Sequence, residues 1–167
     1  MISQDAIKQA ARLGAIWSLQ PAILFNRSET IGEVWGEEVA QRWMMPTRSL
    51  IDAGVKFAYG ADRRDDQRNP MFGLQVFVTR SAGNGRVYGE REKIDRATAL
   101  LSMTRWAAEY VIREKEIGSL EPGKLADLVI LDRNPLDPAV PDEALSKIKV
   151  KATLVGGKLE FGSLNQE

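Results

Sequence analysis

Two apolar runs, AIWSLQPAILF at residues 15–25 and VKFAYGAD at residues 55–62, constrain this chain more than any other feature. Both carry the aliphatic and aromatic residues of strands buried on two faces, as in a parallel sheet. The first reads as a strand that leaves the sheet at the polar Gln20 and is broken by Pro21. The second ends in a carboxylate, Asp62. Between them, residues 26–36 read as a polar connection and residues 37–44 as a helix. Residues 46–53 form a second helix, with Pro46 near its first turn and Gly54 just past its end. Ahead of the first run, Ile2, Ala6, Ile7, Ala10 and Leu13 recur at helical spacing, Ser3 or Asp5 can cap, and Gly14 stands where that helix ends. Helix, strand, helix, strand is the rhythm of a βα-repeating α/β fold.

After Asp62 the chain becomes highly charged (RRDDQRN), and residues 70–80 read as a helix with Met71, Leu74 and Val78 on one stripe. A glycine-containing loop, SAGNGRVYGE, leads into residues 93–116. There Ile94, Ala97, Leu101, Ala108, Val111 and Ile112 follow helical spacing, with a break near residues 102–104. Past residue 117 the pattern changes to two short strands rich in β-branched residues, LADLVILD and KATLVGGKLEF. The second folds on a Gly156–Gly157 hairpin turn, and a proline-studded loop separates the two. This places a boundary near Ile117, dividing the chain into residues 1–116 and 117–167. Trp17, Trp35, Trp43 and Trp106 fit apolar patterns and are expected in the core.

Charge and composition narrow the function classes. Lys plus Arg and Asp plus Glu both number 23, so no net field favours nucleic acid or an anionic membrane, and a small-molecule or protein partner is expected. The chain has no cysteine and no histidine. Disulfides, thiolate nucleophiles, imidazole bases and His or Cys metal ligands are therefore excluded, and carboxylates, Lys and Tyr remain for acid–base work. The N-terminus reads as neither a signal peptide nor an anchor, since no apolar run approaches the ~20 residues of a membrane span. A cytoplasmic location is expected.

The segments LGAIWSLQP, PTRSLIDAGVKFAYGAD, NPMFGLQVFVTR, ATALLSMTRWAAEYV, GSLEPGKLADLVILDRNPLD and KATLVGGKLEF, in this order, resemble the C-terminal part of an amidohydrolase-superfamily enzyme. The nearest branch is the one with N-substituted formamide deformylases and exoenzyme-regulatory-type proteins. GSLEPGKLADLVILD is the most specific of the segments; physically it is a Pro122–Gly123 turn, a solvated Lys124 and a run into a sheet. The resemblance implies an α/β fold, namely the C-terminal portion of a (β/α)8 barrel. Residues 1–116 would hold its last βα units with C-terminal helices, and residues 117–167 part of a small β-sandwich. It further implies a parent enzyme that hydrolyses the C–N bond of an amide, formamide or cyclic amide with a metal-activated water.

On that resemblance residues 15–22 match the seventh barrel strand and residues 55–62 the eighth. Asp62 matches the last-strand aspartate that binds the divalent, zinc-like metal and takes a proton from its water. It is the one family ligand present, so the site is incomplete and this chain is expected to hold no cofactor by itself. Where the family continues with small residues and a proline, this chain has Arg63-Arg64-Asp65-Asp66. Arg63 is a candidate for an anionic substrate group, and Gln20 and Arg80 are substrate-binding candidates by position. Three readings follow: a fragment of a metal-dependent amidohydrolase, a non-catalytic self-associating module, or a carboxylate enzyme using Asp62 with Asp65 or Asp66. The partners expected are a second copy of the chain, in a homo-oligomer, or the missing N-terminal part of the parent. Trp17, Phe57, Val129 or Leu154 would lie near an interface between copies.

Overall fold

The structure is a computed structural model that describes residues 1–62 and 69–164. It opens with α1, Gln4–Leu13, whose first turn is capped by Ser3: its hydroxyl accepts the Ala6 N–H at 3.2 Å. Gly14 ends the helix in the left-handed region at φ 63, as its place in the sequence requires. Ile7 and Ala10 are buried, but Leu13, assigned by spacing to the same stripe, is 73% exposed because the helix ends there.

Two three-residue strands follow, β1 (Trp17–Leu19) and β2 (Phe57–Tyr59), paired in parallel with Trp17 opposite Phe57 and Leu19 opposite Tyr59. The crossover between them is more helical than the sequence pattern suggests. Pro21 starts a helix, α2 (Pro21–Trp35), because its ring presets the φ of a first turn, where its missing N–H costs nothing. The apolar residues 22–25 and the connection 26–36 are therefore largely one helix, not a strand end and a loop. Two short helices complete the crossover, α3 (Glu37–Arg42) and α4 (Thr47–Asp52). Trp35 and Trp43, at the ends of α2 and α3, are 61% and 40% exposed, so the expectation of four core tryptophans holds only for Trp17 and Trp106, which pack against the core.

After β2 comes α5, Pro70–Thr79, capped by Asn69, whose side chain accepts the Met71 N–H at 3.0 Å. Seven of its residues are buried, so it is a central helix covered nearly all round, not one with a single apolar stripe. A short 3-10 turn, Glu90–Glu92, leads to α6 (Arg96–Met103) and α7 (Arg105–Tyr110), broken at Thr104 as the sequence indicates. The helical pattern does not continue to residue 116. Val111 and Ile112 lie beyond the end of α7, and Ile112 is 85% exposed at φ 57.

The C-terminal strands β3 (Leu128–Leu131), β4 (Val150–Val155) and β5 (Lys158–Gly162) make an antiparallel sheet in that order, with Gly156 and Gly157 at positive φ in the hairpin. The loop between β3 and β4 contains a 3-10 helix, Asp142–Lys147, that returns to α5. There Asn69 Nδ2 donates to Ser146 O at 3.1 Å, and Ser146 N donates to Gln75 Oε1 at 3.0 Å. Val140, Leu145 and Ile148 join a core with Phe57, Leu74 and Phe77. Its centre is aromatic: the Phe57 ring lies 5.5 Å from both Phe77 and Trp106, and Tyr59 lies 6.3 Å from Phe77.

Candidate functional site

Because β1 and β2 run parallel and in register, whatever follows Leu19 lies beside whatever follows Tyr59. Gln20 is the first residue past β1, Gly60 the first past β2, and the Gly60 N–H donates to Leu19 O at 2.9 Å. Strand alternation sends Ser18 and Gln20 to one face. The Gln20 Nε2 donates to Ser18 Oγ at 3.0 Å, which holds the carboxamide against the sheet. A Cβ on Gly60 would lie 3.4 Å from both of these polar atoms, so the glycine leaves them a shallow polar notch. Asp62 follows two residues later, exposed, with its backbone in the left-handed region at φ 46. Gln20 and Asp62 thus emerge from the C-terminal ends of neighbouring parallel strands. Ser18 and Gly60 were not singled out from the sequence, although the alternation that pairs Ser18 with Gln20 is visible there.

The opposite face of β2 is apolar. The Tyr59 ring presses on α5 so closely that a Cβ on Gly73 would sit 2.2 Å from its Cε2. Its hydroxyl is enclosed with no hydrogen-bond partner among the described residues, and burial pushes the phenol above its ordinary pKa. Trp17 Nε1 on β1 is likewise enclosed and unpartnered among the described residues.

Arg80 stands elsewhere and does something else. Its side chain is 0% exposed, so it lines no open pocket here. The guanidinium donates to three main-chain carbonyls, Nε to Tyr88 O at 2.9 Å, Nη1 to Met45 O at 2.8 Å and Nη2 to Met44 O at 2.7 Å. Burial pushes its pKa down to about 10, against the opposing pull of Glu92, so it remains charged at neutral pH. Arg80 therefore ties the end of α5 to the turn after α3, which replaces its reading as a substrate-binding side chain. Arg63, with Asp65 and Asp66 of the carboxylate-pair reading, lies outside the described residues.

Among the described residues no three His, Cys, Asp or Glu side chains gather closely enough to hold a metal ion. Asp62 is one carboxylate where a catalytic zinc takes about three protein ligands, and the chain has no histidine to supply the others. The donors among the described residues do not by themselves fit a metal centre. Near the N-terminal end of β2 a cleft of about 400 Å³ is lined by Lys56, Arg105, Trp106, Glu109, Glu114 and Lys124. Its charges largely cancel in pairs, Lys56 with Glu109 at 2.5 Å and Arg105 with Glu121 at 2.9 Å. Among the described residues no helix is long and apolar enough to cross a membrane.

Residues 1–161 match the family described as "Amidohydrolase family". Protein LONG AFTER FAR-RED 3 of Arabidopsis thaliana is 32% identical over 158 residues, a match that covers 94% of this chain and 27% of that protein. An N-substituted formamide deformylase of Arthrobacter pascens is 30% identical over 154 residues, covering 92% of this chain and 28% of its own length. Among solved structures, an uncharacterized metal-dependent hydrolase from Pyrococcus horikoshii superposes with a TM-score of 0.67 at 26% identity, over 81% of this chain and 28% of that one. The chain thus spans little more than a quarter of the length of these relatives.

Proposed function

Because this chain belongs to the amidohydrolase family, we propose that it is the C-terminal portion of a metal-dependent amidohydrolase whose intact form hydrolyses a C–N bond in a small amide, formamide or cyclic amide. Residues 1–116 would be the last βα units of a barrel, and residues 117–167 part of a small β-sandwich. What supports the reading is the shared exit of Gln20 and Asp62 from neighbouring parallel strands, since barrel enzymes assemble their chemistry at the C-terminal ends of their strands. In the intact enzyme a divalent metal would activate water. Of this chain's residues, Asp62 would contribute one carboxylate to that centre, and Gln20, held by Ser18, would offer its carboxamide to the substrate. The missing segment would supply the remaining ligands, and the enzyme would be cytoplasmic.

The test starts with the coding sequence upstream. An in-frame continuation with a His-x-His motif supports the reading, whereas a stop codon followed by unrelated sequence removes it. In the intact protein Asp62→Asn should lower kcat by about 10²–10⁴-fold, the range for losing a positioned acid–base group; full activity would take Asp62 out of the chemistry.

A second reading, a non-catalytic module that associates with its own copy, rests on the C-terminal sheet. Val129, Val155 and Phe161 are all exposed there, and Phe161 lies in register with Thr153 and Val129 across the three strands.

A further inference from the structure

The chain after α5 closes into a small hairpin. Ala82 N donates to Arg86 O at 2.9 Å, Tyr88 N donates to Arg80 O at 3.1 Å, and Ser81 bridges Val87 between them. At its exposed tip stands the dipeptide Asn84–Gly85. An asparagine before glycine is the pair in which a side-chain carboxamide reacts most readily with the next backbone nitrogen, because glycine has no Cβ to obstruct the approach.

In this tip each group that the reaction needs is engaged. The nucleophile, Gly85 N, donates its hydrogen to Ala82 O at 2.9 Å. The carboxamide oxygen of Asn84 accepts the Arg86 N–H at 3.0 Å, an Asx turn, and its Nδ2 donates to the Tyr88 hydroxyl at 3.1 Å. Tyr88 is itself fully buried, and the Arg86 guanidinium lies over its ring at 5.1 Å while pairing with Glu37 at 2.8 Å. The hydroxyl that holds Asn84 is therefore fixed from below by packing and from above by an ion pair.

We propose that Asn84–Gly85 is a spontaneous modification site kept closed by the Tyr88 hydroxyl and the hairpin, and that opening of the tip converts Asn84 to aspartate or isoaspartate. In the step, Gly85 N loses its proton to a solvent base and bonds to Asn84 Cγ. The Cγ–Nδ2 bond breaks, and the nitrogen takes a proton from water and leaves as ammonia. Water then opens the five-membered imide at either carbonyl, giving aspartate or its isomer with an extra backbone carbon. No oxidant or cofactor is required. The product places a new carboxylate beside Arg86, where it competes with Glu37 for the guanidinium. Conversion would thus loosen the contact between this hairpin and α3.

The test is incubation of the whole chain at mildly alkaline pH, folded or unfolded in urea, followed by peptide mapping of residues 81–91 with an isoaspartate assay. Folded protein should convert on the order of tenfold more slowly, because closely held hydrogen bonds must break first. Equal rates in the two states would overturn the proposal. Tyr88→Phe and, on the surface, Arg86→Ala should each speed conversion several-fold while circular dichroism shows the fold kept. If a folded variant of either kind converts no faster than the parent chain, the clamp is wrongly assigned.

Discussion

Arg80 illustrates how far one residue's role can differ from its place in a sequence. Removing the guanidinium would leave the carbonyls of Met44 and Tyr88 without this donor, at a cost of about 1–3 kcal/mol for each buried group, while Met45 O keeps the Thr47 N–H at 2.8 Å. Arg80→Met should lower unfolding stability by about 2–6 kcal/mol in urea titrations, the cost of two buried carbonyls left unsatisfied. A loss under 1 kcal/mol would mean that water replaces the guanidinium. Gly73 sets two effects of opposite sign against each other. Alanine in a helix interior gains about 1 kcal/mol over glycine, but here its Cβ would meet the Tyr59 ring at 2.2 Å. Overpacking of that kind costs about 1–3 kcal/mol, so Gly73→Ala should destabilise on balance, and Tyr59→Leu in the same chain should recover part of the loss. Neither role is readable from the sequence. A lone arginine after an apolar helix looks the same whether it faces a ligand or a carbonyl, and the glycine matters only because a strand 14 residues earlier brings Tyr59 against it.

Among the elements, α6 offers the clearest test of a local device. Asp95 accepts both the N–H and the hydroxyl of Thr98, at 2.8 and 2.6 Å. Partial burial alone would raise its pKa, but those bonds, with a smaller pull from Arg48, hold the carboxyl below its ordinary value. A carboxyl lowered on folding stabilises the protein above its unfolded pKa and loses that contribution as pH falls through the folded value. Asp95→Ala should therefore cost about 1 kcal/mol near neutral pH, the usual worth of an N-cap, and the difference from the parent should shrink below about pH 4. A gap that is the same at all pH values would show that the carboxylate charge is irrelevant. The caps and breaks of α1, α5 and α6 were legible because Ser3, Gly14, Pro70 and the break at Thr104 act locally. The extent of α2 was not. Its apolar start continues the composition of β1, and the sequence does not show that Pro21 opens a helix there instead of merely ending a strand.

For the molecule as a whole, assembly and metal content are the informative measurements. The chain has a two-stranded and a three-stranded sheet, each with open edges among the described residues, and exposed apolar side chains on the second. Light scattering at micromolar concentration should show a homo-oligomer, with Val129→Lys and Phe161→Asp shifting it towards monomer. A sharp monomer mass with concentration-independent unfolding would refute this. Of the residues expected near such an interface, Phe57 is fully buried in the core and Val129 is exposed. Elemental analysis after dialysis should find no stoichiometric transition metal, since a lone carboxylate is a poor divalent site; about one zinc per chain would force a carboxylate-only centre to be found. The docking of the 3-10 helix Asp142–Lys147 on α5 also bears on how the chain is made. Its tie from Gln75 to Ser146 spans 71 positions, and a ribosome adds about 5–20 residues per second. Each nascent chain therefore passes several seconds with the apolar surface of α5 complete but its cover not yet synthesised, and in that interval a chaperone, or a neighbour on the same messenger, has first access to it.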